Sequence, residues 1–384
     1  MVAGEPSGDL LGAGLITALR KRMPAATFEG ICGPAMHAAG CRSVFPMDRI
    51  QLMGFEGLIG KLGDILRVRR ALQHQFERSR PDVFIGVDVP DFNISLEKSL
   101  RRKGIATVHY VSPTVWAWRR YRVRKIRRAV DRMLTLFPFE ADFYREQGVA
   151  VDFVGHPMAD EIEENVDQAQ YRRRLDLPES GRIVALLPGS RSSELARHAD
   201  LFVETAAWLH RRDPSLVFAA PLVDEHNAAV FRSALDRQST AAPSIRIYAG
   251  AARAVMAAAD VVLLASGTAA LEAALLGRPM VVTYRVTPLS YLLIRFLAHV
   301  DVYSMPNHLM ARPLVPEFMQ SRATAANLGE ALWALLHDPA AVEAMRSAFR
   351  GIYHTLRCNA NERAADAIED VLREREWNRR QGSA

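Results

Sequence analysis

Cysteine is scarce in this chain of 384 residues: Cys32, Cys41 and Cys358 show no paired short spacing and no accompanying histidine cluster. That excludes a zinc site and a disulfide framework, and a reducing cytoplasm is the expected compartment. Long uncharged apolar runs are missing too. The most apolar stretch, Val281 to Val300, is interrupted by Arg285 and Arg295, so no bilayer-spanning helix is expected, and the amino end carries no signal-peptide pattern. Internal repeats and low-complexity tracts are absent. No lysine follows a glycine-rich turn as a Walker motif requires, and no stretch spells the dinucleotide fingerprint, which argues against a P-loop NTPase.

What is present is the balance of a globular protein, 49% hydrophobic and 24% charged, at a length that suits two domains. A formal charge of +6 favours an anionic partner, whether a phospholipid surface, a phosphorylated substrate or nucleic acid. Short apolar runs alternate with longer amphipathic segments: Val83 to Val87, Thr107 to Val111, Arg132 to Leu136, Asp152 to Val154, Ile183 to Leu187, Leu216 to Ala220, Ile245 to Tyr248, Val261 to Leu264 and Met280 to Thr283. This βα rhythm predicts an α/β protein of two facing Rossmann-like domains with a cleft between them. The border falls at Gly155-His156-Pro157, where the rhythm pauses. Only Met1 and Val2 precede the first turn, whereas a parallel strand takes about five residues, so either the chain begins late or the first strand is truncated.

Three turns carry the chemistry. Val261 to Pro279 reads VVLLASGTAALEAALLGRP, an apolar strand that breaks at Ser266-Gly267-Thr268 and runs into a helix. Small residues let the chain approach a ligand there, and the helix's free N–H groups favour an anion such as a diphosphate. Glu272 lies one helical turn beyond Thr268, where a carboxylate can accept hydrogen bonds from two ribose hydroxyls. Arg182 to Arg191 reads RIVALLPGSR, a second strand and small-residue turn, with Arg191 able to fork onto phosphate oxygens. The third turn, AGEPSGD at Ala3 to Asp9, leads into a helix from Leu10 to Arg22.

Several longer strings accompany these turns: DVPDFN at Asp88 to Asn93, HYVSPTVWAW at His109 to Trp118, FVGHPMAD at Phe153 to Asp160, ASGTAALE at Ala265 to Glu272, and SMPN at Ser304 to Asn307 with a following LV ending at Val315. Together with AGEPSGD and LLPGSR they resemble the lipid-A-disaccharide synthase family over nearly the whole chain. The resemblance implies a GT-B glycosyltransferase on the cytoplasmic face of the inner membrane of Gram-negative bacteria. It would join UDP-2,3-diacylglucosamine to 2,3-diacylglucosamine 1-phosphate, lipid X, through a β-1,6 linkage and release UDP. It further implies a first domain, 1–156, that meets acceptor and membrane and a second, 157–345, that holds UDP. The remaining helices, 346–384, return to the first domain or are exchanged in a homodimer.

An inverting transfer needs one carboxylate to take the acceptor hydroxyl's proton. Asp91, just past a buried strand, is the expected base, with Asp88 as the competing candidate or as a turn-capping acid. Departure of UDP needs positive charge, which Arg191 and the helix near Gly267 can supply, so neither a metal nor a cofactor is expected. Asn307 is expected in a loop over the nucleotide, bonding to uracil or diphosphate, or in an ordinary turn. Glu5, Ser7 and Gly8 are expected to hold polar groups of donor or acceptor, with Glu5 alternatively capping its helix.

Two segments suit an anionic membrane surface. In Ile50 to Leu72, Leu58, Leu62, Ile65 and Arg69 recur at helical spacing beside a basic end, which fits an interfacial helix or one packed on its own sheet. In Trp116 to Arg128, WAWRRYRVRKIRR, cations lie beside Trp116 and Trp118. Such a block can also hold single-stranded nucleic acid, but no RNA-binding signature accompanies it and no nucleic-acid partner is expected. A soluble GT-B relative or a sugar-nucleotide 2-epimerase would share the nucleotide half without the lipid-suited segments.

Overall fold

The computed structural model describes residues 1–50, 58–118, 120–238, 243–265, 267–287 and 302–381. It divides into two compact units, one formed by Met1–Asp160 together with the chain from Leu356 onward, the other by Glu161–Thr355.

The first unit contains seven parallel strands: β1 (Val2–Ala3), β2 (Phe28–Cys32), β3 (Cys41–Pro46), β4 (Val83–Val87), β5 (Ala106–Tyr110), β6 (Arg132–Thr135) and β7 (Val151–Phe153). Their order is β3-β2-β1-β4-β5-β6-β7, so the direction of winding reverses between β1 and β4. In such sheets ligands bind at the carboxyl ends of the strands flanking the reversal. Among its helices are α1 (Pro6–Arg22), α2 (Pro34–Ala38), α3 (Leu58–Ser79) and α4 (Pro90–Arg102). Val68, Leu72 and Phe76 recur every four residues along α3 and are buried against Val2, Ile31 and Phe84. The rings of Phe76 and Phe84 meet at 5.6 Å between centroids.

The last helix, Ala360–Gln381, is docked on this unit through charge. Arg22 of α1 pairs with Glu362, Asp366 and Glu369, and Arg375 pairs with Asp131 at 2.7 Å. Its amino end is capped by Asp160, whose carboxylate accepts the N–H groups of Asn359 and Ala360 at 2.9 and 2.6 Å.

The second unit repeats the plan with β8 (Ile183–Leu187), β9 (Val217–Leu222), β10 (Ile245–Ala249), β11 (Val261–Ala265), β12 (Met280–Tyr284) and β13 (Glu317–Met319). Their order, β10-β9-β8-β11-β12-β13, reverses between β8 and β11. Both of these strands are buried along their whole length, as unbroken apolar runs covered on two faces must be. The sequence rhythm marks nine of the strands. It misses β2 and β3, where polar residues interrupt the run, and the three-residue β13. Among the described residues no helix is long and apolar enough to cross a membrane.

Candidate active site

In the second unit the reversal joins two small-residue turns. β8 pairs with β11 at Leu187 and Leu264, and β11 with β12 at Ala265 and Thr283, so three strand ends lie abreast. After β8, Gly189 adopts φ +127°, and a Cβ there would stand 2.8 Å from that of Glu194, so only glycine lets this turn close onto the following helix. Arg191 is the N-cap residue of that helix, Ser192–Arg212, and is exposed. After β11, Gly267 faces open space, with nothing within 4 Å of a Cβ built there, and the helix Thr268–Leu275 begins behind it. A helix start and an exposed guanidinium beside small-residue turns are groups that attract anions. Ser266 lies outside the described residues.

Glu272 is part-buried, and its carboxylate accepts a hydrogen bond from Arg253 Nε at 2.6 Å. The sequence reading missed Arg253, which arrives from the first turn of the helix Ala252–Ala258 after β10. It also missed the frame that shapes the Arg191 turn. Asn227 donates to the Ser190 carbonyl at 3.2 Å and accepts the Ser192 hydroxyl at 3.3 Å, and its own N–H is capped by Asp224 at 2.8 Å. Behind it, His198 Nε2 accepts the Arg285 N–H at 2.9 Å, so the ring proton sits on Nδ1, which meets the Glu194 carbonyl at 2.8 Å. Burial lowers this imidazole's pKa and keeps the ring neutral in that role.

Asn307 departs from the expected role. It is buried, its amide donates to Val315 and Glu317 at 2.9 and 2.6 Å, and its oxygen accepts the N–H groups of Leu314 and Val315. Every polar valence is satisfied within its own loop, so it organises that loop. Glu317 is the hub, also accepting from Tyr303 and Ser304.

The first unit's edge is built differently. Ala3 pairs with Val87, and Val87 with Tyr110, bringing the ends of β1, β4 and β5 together. Beyond them Asp88, Val89 and Val111 adopt φ of +54°, +43° and +82°. For a β-branched residue this is sterically costly, about 1–3 kcal/mol each, and such strain collects where function requires a geometry. Hydrogen bonds hold it: the Asp88 N–H donates to Tyr110, the Val111 N–H to Leu134, and the Asn93 amide to the carbonyls of Asp88 and Val2 at 2.8 and 3.2 Å. Gly4 lies against Val89, which a Cβ would approach to 2.6 Å, so the Gly4–Asp9 and Asp88–Asp91 turns touch. Glu5 is the N-cap residue of α1, but its side chain makes no capping bond. Ser7 is exposed and Gly8 buried. Asp9, within the same motif, is structural: it accepts the N–H groups of Gly33, Ala35 and Met36 and caps α2.

Asp91 lies in the first turn of α4, 65% exposed, with its carboxylate paired to Arg122. That guanidinium engages the Asp91 carboxylate, whereas Asp88 stands at the strained tip itself.

The lipid-facing expectation divides. Ile65 packs against the apolar core under α3, while Arg69 is only part-exposed at the end of that stripe. Trp116 turns inward: its ring meets Phe139 edge-on at 4.9 Å and its indole N–H donates to Glu140 at 3.3 Å. Burial pushes the Glu140 carboxyl up to about 8 against those hydrogen bonds. The side chains of Leu58, Leu62 and Trp118 lie outside the described residues. Among the described residues, the large apolar side chains that this unit exposes are Leu10, at 68%, Tyr121, at 76%, and Trp377 on the last helix. Among the described residues no group of three or more His, Cys, Asp or Glu converges as a metal site.

Two Rossmann-like units sharing the order of their first six strands define a GT-B-type fold. The solved structures agree on the fold. The calicheamicin glycosyltransferase CalG4 is similar with a TM-score of 0.58 at 15% identity, over 97% of this chain and 96% of that one. A UDP-GlcNAc 2-epimerase from Neisseria meningitidis bound to UDP-GlcNAc is similar with a TM-score of 0.63 at 13% identity, over 95% and 97%. The particular family follows from sequence: residues 1–371 match the model of lipid-A-disaccharide synthetase, and the chain belongs to that family. A lipid-A-disaccharide synthase from Alkalilimnicola ehrlichii is 50% identical over 96% of this chain and 97% of its own.

Proposed function

We propose that this chain condenses UDP-2,3-diacylglucosamine with lipid X, giving the β-1,6-linked tetraacyl disaccharide 1-phosphate and UDP, in lipid A biosynthesis. The observation that carries the reading is the pair of small-residue turns at the second unit's reversal, one headed by Arg191, in a chain of this family. Two positive features at the diphosphate stabilise the charge that develops as UDP leaves, and the turn N–H groups need no reorganisation to do so. Glu272, oriented by Arg253, receives the ribose hydroxyls. The acceptor's 6-hydroxyl attacks the anomeric carbon from the opposite face, and Asp88 takes its proton, with Asp91 and Arg122 as a fixed pair beside it. Glu5, Ser7 and Gly8 border the same turn and meet the sugar hydroxyls.

The acyl chains and the acceptor's phosphate bring the enzyme to the inner face of the inner membrane. Exposed Leu10 and Tyr121, with the cations of the segment around Tyr121, suit that surface better than Trp116 or Ile65. A homodimer exchanging carboxyl-terminal segments would reuse the Arg22 and Arg375 ion pairs with a partner's helix. The reading is tested by UDP release from the diacylated donor with lipid X as acceptor. Rapid release there and little from the unacylated sugar nucleotide is expected; equal release from both points to a soluble GT-B activity instead.

A further inference from the structure

Beneath α4 runs a polar seam that the mechanism above leaves unused. Phe92, Leu96 and Leu100 of this helix join one apolar cluster and Ile94 joins another, yet between them Asn93 and Glu97 turn toward the sheet, wholly buried. Glu97 meets Nδ1 of His109, on β5, at 2.7 Å, with both side chains completely inaccessible. They gather around Gly86 of β4, the register partner of His109: a Cβ there would overlap the Glu97 carboxylate and lie 2.9 Å from the Asn93 amide carbon. Asn93 Oδ1, Glu97 Oε2 and His109 Nε2 are buried without a protein partner.

A buried acid beside a buried imidazole costs desolvation that an apolar pair of the same volume avoids, so its presence calls for a reason other than stability. Geometry supplies one. Asn93 fastens α4 to the tips of β1 and β4, and Glu97, one helical turn on, fastens it to β5. Two attachments at different strands fix both the height and the rotation of the helix whose first turn follows Asp88 and Val89.

We propose that the Glu97–His109 pair is a positioning element for glycosyl transfer: it locks α4 to β5 and so holds the strained Asp88–Asp91 turn in its reactive form. The proposal rests on the functional reading above, and its test has one readout that does not. The double variant E97L/H109L removes the pair while keeping the volume apolar, so it should fold with unchanged thermal stability. Its kcat should fall about 30-fold with KM for donor and affinity for UDP unchanged, and amide hydrogens of Phe92 and Asn93 should exchange about 10-fold faster. E97Q keeps one bond to the imidazole and should lose about 5-fold in kcat alone. If E97Q and the double variant, or E97Q alone should the latter not fold, turn over and exchange like the unmodified enzyme, the proposal is overturned. It is overturned equally if kcat, UDP affinity and thermal stability fall together. Absence of turnover in the unmodified enzyme, with exchange still accelerated in E97L/H109L, would instead sink the choice of substrates and leave the positioning role standing.

Discussion

In both units the winding reverses between the first strand and the fourth, yet the turns that follow are made of different chemistry. The second unit offers small residues, helix starts and an arginine, all in ordinary or glycine conformations. The first forces an aspartate and two valines to positive φ and fastens them from beneath with side-chain amides and carbonyls. Identical topology therefore does not dictate an identical task. Binding a diphosphate asks for donors that are present at all times, whereas presenting a base asks for one atom held in one place.

The comparison breaks most visibly at Asp88. Asp88→Ala should lower kcat about 1,000-fold while UDP affinity, measured by calorimetry, stays the same, as expected of a group that acts on a proton in the transition state. Asp91→Ala should cost less than Asp88→Ala. The reverse order would restore Asp91 as the base and make Arg122 its modulator. In the other unit the signature inverts. Arg191→Ala should weaken UDP binding about 30-fold, the loss of roughly 2 kcal/mol for a charge-assisted bond, and an unchanged Kd would remove the diphosphate from that turn. Arg253→Ala leaves Glu272 unoriented and should weaken UDP by about 5-fold, with no effect on binding of inorganic pyrophosphate, since the ribose contact alone is disturbed.

The smallest expected effect is on stability within the first unit and depends on pH. Glu140 belongs to the first unit, and its folded pKa, raised by burial to about 8, lies above the unfolded value of 4.5. Between those two the unfolded chain holds fewer protons, so stability is full below pH 4.5 and is lost as pH rises through 8. Glu140→Gln should raise the melting temperature by a few degrees at pH 9 and leave it unchanged at pH 4.5. His156, pushed down to about 4 by burial, acts in the opposite sense, stabilising above pH 6.5 and losing that contribution as pH falls through 4. A melting profile of Glu140→Gln that is parallel to the unmodified one at every pH would show that this acid is already relieved by water.

Much of this was legible in the chain. Ile183 to Leu187 and Val83 to Val87 are short apolar runs bounded by turn residues, and they form strands with those bounds. The turns at Gly189 and Gly267 were legible because only small residues tolerate a close ligand. Glu272 was placed correctly along its helix, but Arg253, 19 positions away in sequence, was not, since packing of the helix Ala252–Ala258 against the helix of Glu272 brings it there. Asn307 was read as a nucleotide contact or an ordinary turn residue, and its bonds to Val315 and Glu317, on the chain entering β13, were not legible from its neighbours. Trp116 failed as a lipid anchor because Phe139 and Glu140, more than 20 residues on, enclose it.

By itself, then, the chain determined most of the strands, where they end, and that small-residue turns and acids follow those ends, because backbone preference and apolar spacing act over a few neighbouring residues. Which acid stands free and which is bound to Arg122, and which buried histidine faces which glutamate, only the tertiary structure decided. Those outcomes depend on partners brought together by strand order and register, and a hydrogen bond across two strands leaves no trace in local composition.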